Sequence, residues 1–539
     1  MKRLANLAVA LAALLTLAPL TAGADDEIRY TIRPGDTLIA LSQKMLINPR
    51  QWPWIQKLNG ITDPYHLIPG SALRMPVALL KLESATARVR SVSGEVSADG
   101  RPLKPADTIA PNAHITTGAQ GFVTIELIDG SRLVLQPESS LKVEMLSRYR
   151  NTDLPETRLR LDAGRVESVV TKSLAPRPKY IINTPTAAIG VRGTSFRVGS
   201  EGANGASRAE VTEGTVAVGR DDAKESAPLH AGFGIVAEPG GAISAPVALL
   251  PAPDLSGQPA LYERPVIRFV LPPLAGAQSY RFQVGADADL QVLLADTTAS
   301  QPEAKFGGLP DGEYTLRVRG IDAKGLEGRD ADFRFRLKAR PQPPFATAPV
   351  GNVKLRAVSA ALAWTTNPDA ARYRVQVTHD EAFARIFADI DGVEGTTIMP
   401  ASKLPPGDYL WRTRSIRADG DVGPWGDPQR FRLRALPAAP EPPKLDDHEL
   451  TLAWSGEPGQ TFLFQFARDD KFTDLVAERE LTEASITLPR PQPDTYYMRV
   501  RATDADGFVG PFTDTQIVEV PYPRPPWWLP LLALVPLAL

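Results

Sequence analysis

The chain contains no cysteine in its 539 residues. This excludes disulfides, thiol catalysis, iron–sulfur clusters and zinc sites with cysteine ligands. An excess of one charge is also missing, because 60 Lys and Arg residues stand against 62 Asp and Glu residues, for a net charge of −2. Proteins dedicated to nucleic acid usually carry a basic surplus. We therefore expect no nucleic-acid partner.

Motifs for catalysis are missing as well. The five histidines are scattered and none has metal-ligand spacing. The sequence holds no His-Glu-x-x-His, no Gly-x-Ser-x-Gly and no phosphate-binding P-loop. A pair of glycosidase carboxylates is recognised only in three dimensions. We expect a protein that is not an enzyme and that holds no metal or cofactor.

Proline, in contrast, is abundant, with 51 Pro beside 41 Gly. Proline opposes long helices and suits linkers and edge strands. With 43% apolar and 23% charged residues, the chain can bury several hydrophobic cores. At about 150 residues per domain, its length suggests roughly three to five domains. The composition therefore favours a multidomain protein poor in long helices.

Residues 1–24 have the features of a secretory signal peptide. Lys2 and Arg3 precede an apolar run from Leu4 to Ala18, and Ala22-Gly23-Ala24 offers a small-residue cleavage site. The alternative is an uncleaved anchor helix, but the run is shorter than the roughly 20 residues that a membrane span requires. We expect cleavage before Asp25 and export to the periplasm or cell envelope of a bacterium.

Residues 28–76 have the pattern of a small βααβ module. Tyr30-Thr31-Ile32 alternates like a strand, and Leu38, Leu41 and Met45 follow at helical spacing. A second helical pattern includes Trp54, Ile55 and Leu58, and a closing strand runs from Leu73 to Pro76. The order strand–helix–helix–strand is therefore predicted.

Three segments of this block resemble a LysM module: Tyr30-Thr31-Ile32-Arg33-Pro34-Gly35-Asp36-Thr37-Leu38, Asn59-Gly60-Ile61 and Leu67-Ile68-Pro69-Gly70-Ser71-Ala72-Leu73. LysM modules bind glycans that contain N-acetylglucosamine, above all peptidoglycan. The resemblance implies a shallow groove between the loop before the first helix and the loop after the second. The glycan-binding residues that it implies are Gly35, Asp36, Thr37, Leu38, Ile61, Tyr65, Leu67 and Ile68. The alternative is that Asp36 and Thr37 only cap a helix and that Leu38 fills the core.

Residues 88–236 read as short strands separated by turns. Val123, Ile125 and Leu127 alternate up to Asp129-Gly130, and Leu133 and Leu135 continue beyond it, which predicts a hairpin with a type I′ turn. The segments 115–118, 127–133, 161–166, 184–196 and 211–216, above all Thr184-Pro185-Thr186-Ala187-Ala188-Ile189-Gly190-Val191-Arg192-Gly193-Thr194-Ser195-Phe196, resemble the FecR domain.

The FecR family takes its name from iron-uptake regulators that pass a signal from an outer-membrane receptor to a sigma factor. In those regulators a cytoplasmic segment and a transmembrane helix precede the domain, whereas here a LysM-like block precedes it. The resemblance therefore implies a β-rich interaction module, with envelope signalling as the alternative.

After an expected linker at 237–254, the chain repeats itself three times, at 255–340, 345–435 and 440–520. In each copy a tyrosine (Tyr314, Tyr409 or Tyr496) is followed by arginines at +3 and +5 and glycines at +11 and +14. A period near 90 residues with short strands fits tandem β-sandwiches, and these tyrosines look like the tyrosine corner of that fold. The copies resemble fibronectin type III domains.

Two further features of the repeats carry expectations. Each copy has one large aromatic residue (Phe269, Trp364 or Trp454) at the place where a sandwich core requires one. The arginines at +3 and +5 share one face of a strand. That face is either solvated and paired with acids or a basic stripe that binds a ligand.

The segment 521–539 is rich in proline and ends in an uncharged run from Trp527. As a helix, that run of 13 residues would span about 20 Å, against a membrane core of roughly 30 Å. Shallow membrane contact through Trp527 and Trp528 is one reading. Docking onto another protein is the other.

Taken together, these patterns predict a mainly β, exported cell-envelope protein that binds peptidoglycan and presents its β modules to an unknown envelope protein. The alternative is a FecR-type signalling component, and a weaker one is an accessory to a peptidoglycan hydrolase.

Overall fold

The computed structural model describes residues 27–522, except 153, 173–179, 192, 203–204, 221–224, 241–242, 358, 402 and 436–440. The expected signal peptide and the apolar run from Trp527 lie outside the described residues. Strand dominates and helix is rare, which confirms the mainly β multidomain class. The chain divides into two compact units, Met1–Leu337 and Lys338–Leu539. No helix among the described residues is long and apolar enough to cross a membrane.

The N-terminal module has the predicted βααβ order. Its elements are the strand Glu27–Thr31, the helix α1 at Leu38–Met45, a 3₁₀ turn at Pro49–Gln51, the helix α2 at Trp52–Asn59 and the strand Ala72–Pro76. The two strands pair antiparallel, with Glu27 opposite Pro76. The Thr37 hydroxyl accepts a hydrogen bond from the Ala40 N–H and caps α1. Gly60 ends α2 in the left-handed conformation, with φ at 62°.

The core of this module extends beyond its own residues. Leu38, Met45 and Ile55 are buried together with Leu80, which lies after the closing strand, and with Tyr149 from the next domain. The Lys81 N–H also donates to the Met45 carbonyl at 2.7 Å. The module therefore packs directly on the domain that follows it.

The second domain consists of strands and short connections. Its strands are Leu82–Ser84, Ala87–Ser93, Val96–Ala98, Arg101–Pro102, Thr108–Ile109, His114–Thr117, Phe122–Glu126, Arg132–Leu135, Ser140–Tyr149, Pro155–Val169, Tyr180–Asn183, Ala188–Val191, Ser195–Ser200, Ser207–Glu213, Thr215–Arg220, Glu225–His230, Phe233–Ala237 and Val247–Ala248.

The long strand Pro155–Val169 joins the two sheets of this domain. Its first part pairs with Ser140–Tyr149 and Tyr180–Asn183 in one sheet. From Gly164 onward it pairs with Ser195–Ser200 and Arg132–Leu135 in the other sheet. A single hydrophobic core, which includes Leu141, Leu161, Val166 and Val198, contains residues of both sheets.

The predicted hairpin around Asp129-Gly130 is present, with Arg132 opposite Glu126 and Leu135 opposite Val123. Its turn differs from the expected type I′. Gly130 has a positive φ of 80° but Asp129 does not, and a type I′ turn requires positive φ at both central residues. Instead, the Gly130 N–H donates to the Leu127 carbonyl, and the Leu127 N–H donates to the Ser131 carbonyl.

Within the segment expected to be a linker, part of the chain adds to the second domain. Val247–Ala248 pairs antiparallel with Phe233–Ala237. Leu249 is buried with Val236 and with Leu326 of the first sandwich.

The first sandwich lies in the same compact unit. Its five-stranded sheet has the order Leu261–Tyr262, Ala331–Leu337, Gly312–Ile321, Ser279–Gly285 and Leu293–Ala299, and the facing strands are Ile267–Val270 and Glu303–Phe306.

The second unit contains two more sandwiches. The strands of the second are Ala346–Ala348, Val353–Arg356, Leu362–Trp364, Arg372–Thr378, Ile386–Val393, Thr397–Ile398, Gly407–Ile416 and Gln429–Arg434. Those of the third are Lys444–Leu445, Glu449–Ala453, Thr461–Ala467, Leu475–Leu481, Ser485–Pro489, Asp494–Thr503, Val509–Phe512 and Gln516–Val520. The two are joined by ion pairs, including Arg356 Nη2 to Asp504 Oδ1 at 2.5 Å.

The tyrosine corner is present in all three copies. The hydroxyls of Tyr314, Tyr409 and Tyr496 each donate to a backbone carbonyl four residues upstream, at 2.7, 2.7 and 2.9 Å. The aromatic residues expected in the cores, Phe269, Trp364 and Trp454, are buried. Both predictions are therefore confirmed.

Candidate functional site

The two loops of the expected glycan groove are bound to each other through their backbones. The Leu38 N–H donates to the Pro64 carbonyl at 2.8 Å, so the start of α1 contacts the loop after α2. Ile32 exchanges two backbone hydrogen bonds with the end of that loop, its N–H donating to Ser71 and its carbonyl accepting from Gly70. The sequence-predicted residues of both loops are thus brought to one end of the module.

The polar side chains at this end already have partners. The Asp36 carboxylate accepts from the Tyr30 hydroxyl at 2.9 Å and from the Arg33 N–H at 2.8 Å. Thr37 caps α1, as described above. The Thr37 side chain therefore caps the helix, as the alternative expected, whereas the Asp36 side chain bonds to Tyr30 and to the turn before the helix.

The apolar members of the predicted set divide into two groups. Leu38 is fully buried in the core of the module, so its side chain offers no surface to a sugar and only its backbone lies at the groove. Ile61 and Leu67 are half-buried against the same core. Tyr65 and Ile68 are 63% and 75% exposed. The exposed apolar surface at this end of the module therefore comes from the loop after α2.

That loop is ordered by Asp63. Its carboxylate accepts from the Tyr65 N–H at 2.8 Å and contacts the His66 ring at 2.7 Å. The Tyr65 N–H and the His66 side chain both lower the pKa of Asp63. Sequence reasoning missed this residue, although a carboxylate two positions before a turn residue is a recognisable loop signal.

A second chemically distinctive cluster lies between the second domain and the first sandwich. Glu327 Oε2 accepts from Arg319 Nη1 at 3.0 Å and from Arg197 Nη1 at 3.2 Å. Its other oxygen accepts from Arg281 Nη1 at 2.9 Å and lies 3.1 Å from Arg165 Nε. Arg165 and Arg197 belong to the second domain, and the other residues to the sandwich. We call these residues, with Glu167, Glu210, Asp330 and Arg317, the ion network.

The ion network is buried, and its charges hold one another ionised. Arg197, Arg319 and Glu327 are almost inaccessible to water. Burial alone would raise the pKa of Glu327, but the neighbouring arginines outweigh it, and the pKa lies well below its usual value. A buried ion that loses its partners is costly. The network therefore ties the two domains together only while every charge keeps its partners.

The arginines at +3 and +5 thus have two different environments. In the first copy they are Arg317 and Arg319, paired with acids as expected. Arg319 is buried rather than solvated, because Glu167 of the second domain accepts from it at 2.8 Å. This corrects the expectation of a solvated face.

In the other copies the same arginines stack on aromatic rings. Arg412 lies 3.9 Å from the Phe383 ring centroid and 4.4 Å from that of Trp425. Arg499 has the same relation to Phe472 and Phe512, at 3.9 and 4.2 Å. Such cation–π contacts cover the guanidinium with apolar surface.

Two substitutions between the copies explain the difference. Sixteen residues after the tyrosine, the aromatic Trp425 or Phe512 is replaced in the first copy by Asp330. The second aromatic, Phe383 or Phe472, corresponds to Leu290, and all three residues have a positive φ between 52° and 57°. Leu290 is buried with Phe122 of the second domain. The first copy has therefore replaced its aromatic cover with a docking face.

Known families match two parts of the chain. The LysM domain model matches residues 30–76, and the FecR protein model matches residues 113–217. No curated protein sequence matches the chain. LysM and FecR are non-catalytic binding or signalling families typical of cell-envelope proteins.

Two solved structures are distantly similar to the chain. The chain is 18% identical to an anti-sigma factor candidate from Parabacteroides distasonis ATCC 8503, covering 25% of this chain and 59% of that one, with a TM-score of 0.21. It therefore spans less than two thirds of that protein. It is 15% identical to the chicken CNTN1 FN1–FN3 domains, covering 48% of this chain and 95% of that one, with a TM-score of 0.20. By the family matches, the chain carries a LysM domain and a FecR domain, and three β-sandwiches with tyrosine corners follow them.

Proposed function

We propose that this protein is exported to the bacterial cell envelope, binds peptidoglycan through its LysM domain and acts there without catalysing a reaction. The observation that carries the proposal is the LysM match at residues 30–76, because LysM domains generally bind glycans with N-acetylglucosamine. The FecR domain and the sandwiches then serve as interaction modules for an envelope protein.

The groove suits a sugar chain in two ways. The exposed side chains of Tyr65 and Ile68 offer apolar surface for the faces of pyranose rings. The Asp36 side chain already accepts from Tyr30 and Arg33, and the Thr37 side chain caps α1, so the polar contacts to acetamido groups come from backbone N–H and C=O groups around Gly35. A single small groove orders few sugar units, and we expect a modest affinity, about micromolar or weaker.

Anchoring the LysM domain would also fix the positions of the FecR domain and the first sandwich, which are attached to it. Tyr149 lies within the LysM core, and the ion network connects the FecR domain to the first sandwich. A glycan bound at the groove therefore orients all three with respect to the cell wall. Deletion of residues 28–76 is a poor test of anchoring, because it would expose the Tyr149 side chain.

Point substitutions in the groove test the proposal better. We expect Ile68→Arg and Tyr65→Ala to reduce sedimentation of the full mature chain with purified sacculi by at least fivefold. Both side chains are exposed, so neither change opens a cavity in the core. The matched control is Ile47→Arg, since Ile47 is 64% exposed in the same domain but follows the far end of α1, about 12 Å along the helix from Thr37.

Three results decide the matter. Sedimentation that falls for the groove variants and not for Ile47→Arg supports binding through the groove. Equal sedimentation of all variants and the wild type refutes LysM-mediated anchoring. Release of soluble muropeptides from the sacculi by the wild type would contradict the non-enzymatic role.

Envelope signalling is the second candidate, and the FecR match at residues 113–217 favours it. In that case the binding of a partner to the FecR domain changes the output of a regulator. A deletion strain whose transcriptome is unchanged when the envelope is perturbed would remove this candidate and leave the first untouched.

A further inference from the structure

A cleft between the FecR domain and the first sandwich contains a buried polar group without a partner. The cleft has a volume of about 620 Å³, within the range of about 300–1,000 Å³ that is usual for ligand sites. Gln136 lies in its lining and is 1% exposed. Neither Nε2 nor Oε1 of its side chain has a hydrogen-bond partner among the residues that the structure describes.

The position of Gln136 follows from the sheet. Arg132 and Val134 alternate along the strand Arg132–Leu135, Gln136 follows directly after it, and all three line the cleft. The backbone of Gln136 is fully used, since its N–H donates to the Arg165 carbonyl at 3.0 Å and its carbonyl accepts from Thr117 Oγ1 at 2.6 Å. The unused hydrogen-bonding capacity therefore belongs to the side chain alone.

An unpaired buried amide is unusual. Most buried side-chain polar atoms have a partner, and each that lacks one destabilises the fold. A primary amide requires both a donor and an acceptor for its two ends. The group that completes this site must offer an N–H and a C=O side by side.

The need for an N–H and a C=O side by side favours a peptide over a sugar as the ligand. In one trans amide, such as an acetamido group, the N–H and C=O point in opposite directions, so a single glutamine cannot meet both. In an extended strand, the N–H and C=O of one residue point to the same side, which is how antiparallel partners exchange both bonds. A glutamine side chain can therefore bond to both groups of one extended residue.

The rest of the lining agrees with a peptide of low charge. Val134, Val169, Leu290 and Leu293 provide apolar surface. The charged residues in the lining are of both signs, and Arg317 donates to Glu167, another lining residue, at 3.4 Å. The cleft therefore does not select strongly for charge of one sign.

We propose that this cleft is a peptide-binding site, in which the Gln136 amide bonds to the N–H and C=O of one residue of an extended, partly apolar peptide segment. The site is separate from the LysM groove, and the proposal does not depend on glycan binding.

The test compares Gln136→Leu with a matched control. Leucine has nearly the same volume and lacks the amide. Because the amide is unpaired without a ligand, we expect Gln136→Leu to leave the melting temperature of the full chain unchanged or to raise it by a few degrees. The control is Gln301→Leu, at an exposed position of the first sandwich outside the cleft.

Binding is measured with defined probes. Octapeptides are selected from a random phage-displayed library on the full wild-type chain, synthesised, and titrated against all three proteins by fluorescence polarisation. We expect peptides that bind the wild type and the control equally and bind Gln136→Leu at least tenfold more weakly. Di-N-acetylchitobiose is titrated in parallel, and we expect its affinity to be the same for the wild type and Gln136→Leu.

Each other outcome overturns the proposal. It fails if no selected peptide binds the purified chain, or if Gln136→Leu binds peptides as the wild type does. A melting temperature lowered by several degrees would show that the amide is already satisfied, for instance by water alone. Loss of chitobiose affinity in Gln136→Leu without loss of peptide affinity would assign the cleft to an acetamido sugar instead.

Discussion

Replacing Glu327 with glutamine should separate the FecR domain from the first sandwich. Glutamine keeps the volume but removes the charge, and its NH₂ group would face arginine donors where an acceptor now lies. Four arginines contact the Glu327 carboxylate at 2.9 to 3.2 Å. Without it, Arg197 and Arg319 keep other acids, but the cluster gains an uncompensated positive charge away from water.

The expected cost follows from the burial. Breaking a buried ion pair by removing one partner costs about 3–5 kcal/mol. At about 1.4 kcal/mol per tenfold change, amide exchange in the strand Gly312–Ile321 should accelerate by roughly a hundredfold to several thousandfold. Glu313→Gln is the matched control, because Glu313 lies on the same strand, is exposed and is 3.8 Å from Arg336. Exposed pairs of this kind contribute about 0–1 kcal/mol.

Hydrogen exchange with mass spectrometry on the full chain measures both variants. Peptides that cover Gly312–Ile321 and Ser195–Ser200 report the two sides of the network. Exchange in Glu327→Gln within tenfold of the wild type would refute the reasoning, as would an equal effect of Glu313→Gln.

The pH dependence provides a further check. The pKa of Glu327 is depressed in the folded state, so its contribution is complete above the unfolded value of about 4.3 and is lost as the pH falls through the folded value. Exchange protection at the interface should therefore hold at neutral and mildly acidic pH and weaken only in strong acid. Glu327→Gln should show a smaller acid-dependent loss than the wild type, because the arginines also lower the pKa values of Glu167 and Asp330, which remain in the variant. An identical acid profile in the variant would contradict the assignment.

Three further predictions concern single contacts. Thr37→Ala should destabilise the LysM domain by about 1 kcal/mol through loss of the α1 cap, measured by exchange protection of Leu38–Met45, and undiminished protection would count against it. Tyr409→Phe should remove about 1 kcal/mol from the second sandwich, seen as a lower urea midpoint in tryptophan fluorescence, while an unchanged midpoint would show that the corner bond is dispensable. Asp330→Phe should restore the aromatic residue of the other copies but break the docking face, so protease should cleave between the FecR domain and the first sandwich faster than in wild type. Wild-type cleavage kinetics would contradict this.

The sequence predicted best those features that depend on residues close together in the chain. The tyrosine corner lies within four residues of its acceptor, and helix spacing and strand alternation are local patterns too. The turn at Asp129-Gly130 shows the limit of such signals. The dipeptide identified a hairpin, but the turn type depends on the φ of Asp129, which the pairing of the flanking strands determines.

The two loops expected to form the glycan groove lie together, but the side chains of the residues predicted there differ in their exposure. The resemblance named the two loops that the backbone of Leu38 joins. It could not separate Leu38, whose side chain fills the core, from Ile68, whose side chain is exposed, because both are apolar residues next to a turn. Burial depends on the packing of α1 against α2 and Tyr149, which lies far along the chain.

The ion network was beyond sequence reasoning for a similar cause, since Glu167 and Arg319 are 152 positions apart. Its signal nevertheless lies in the repeats. An arginine on a sheet face needs its guanidinium covered or paired, and the second and third copies cover it with aromatic rings. The first copy keeps the arginines but has Asp330 in place of the aromatic ring at +16. Its guanidinium groups therefore lack the stacked ring and face a carboxylate instead. Such a face is stabilised by a surface that supplies a further counter-charge, and Glu167 of the FecR domain supplies it to Arg317 and Arg319. Comparison among internal repeats can thus identify a docking face where motif matching cannot. The arginines retained in every copy belong to the common fold, and the replaced aromatic residue at +16 shows which copy docks against another domain.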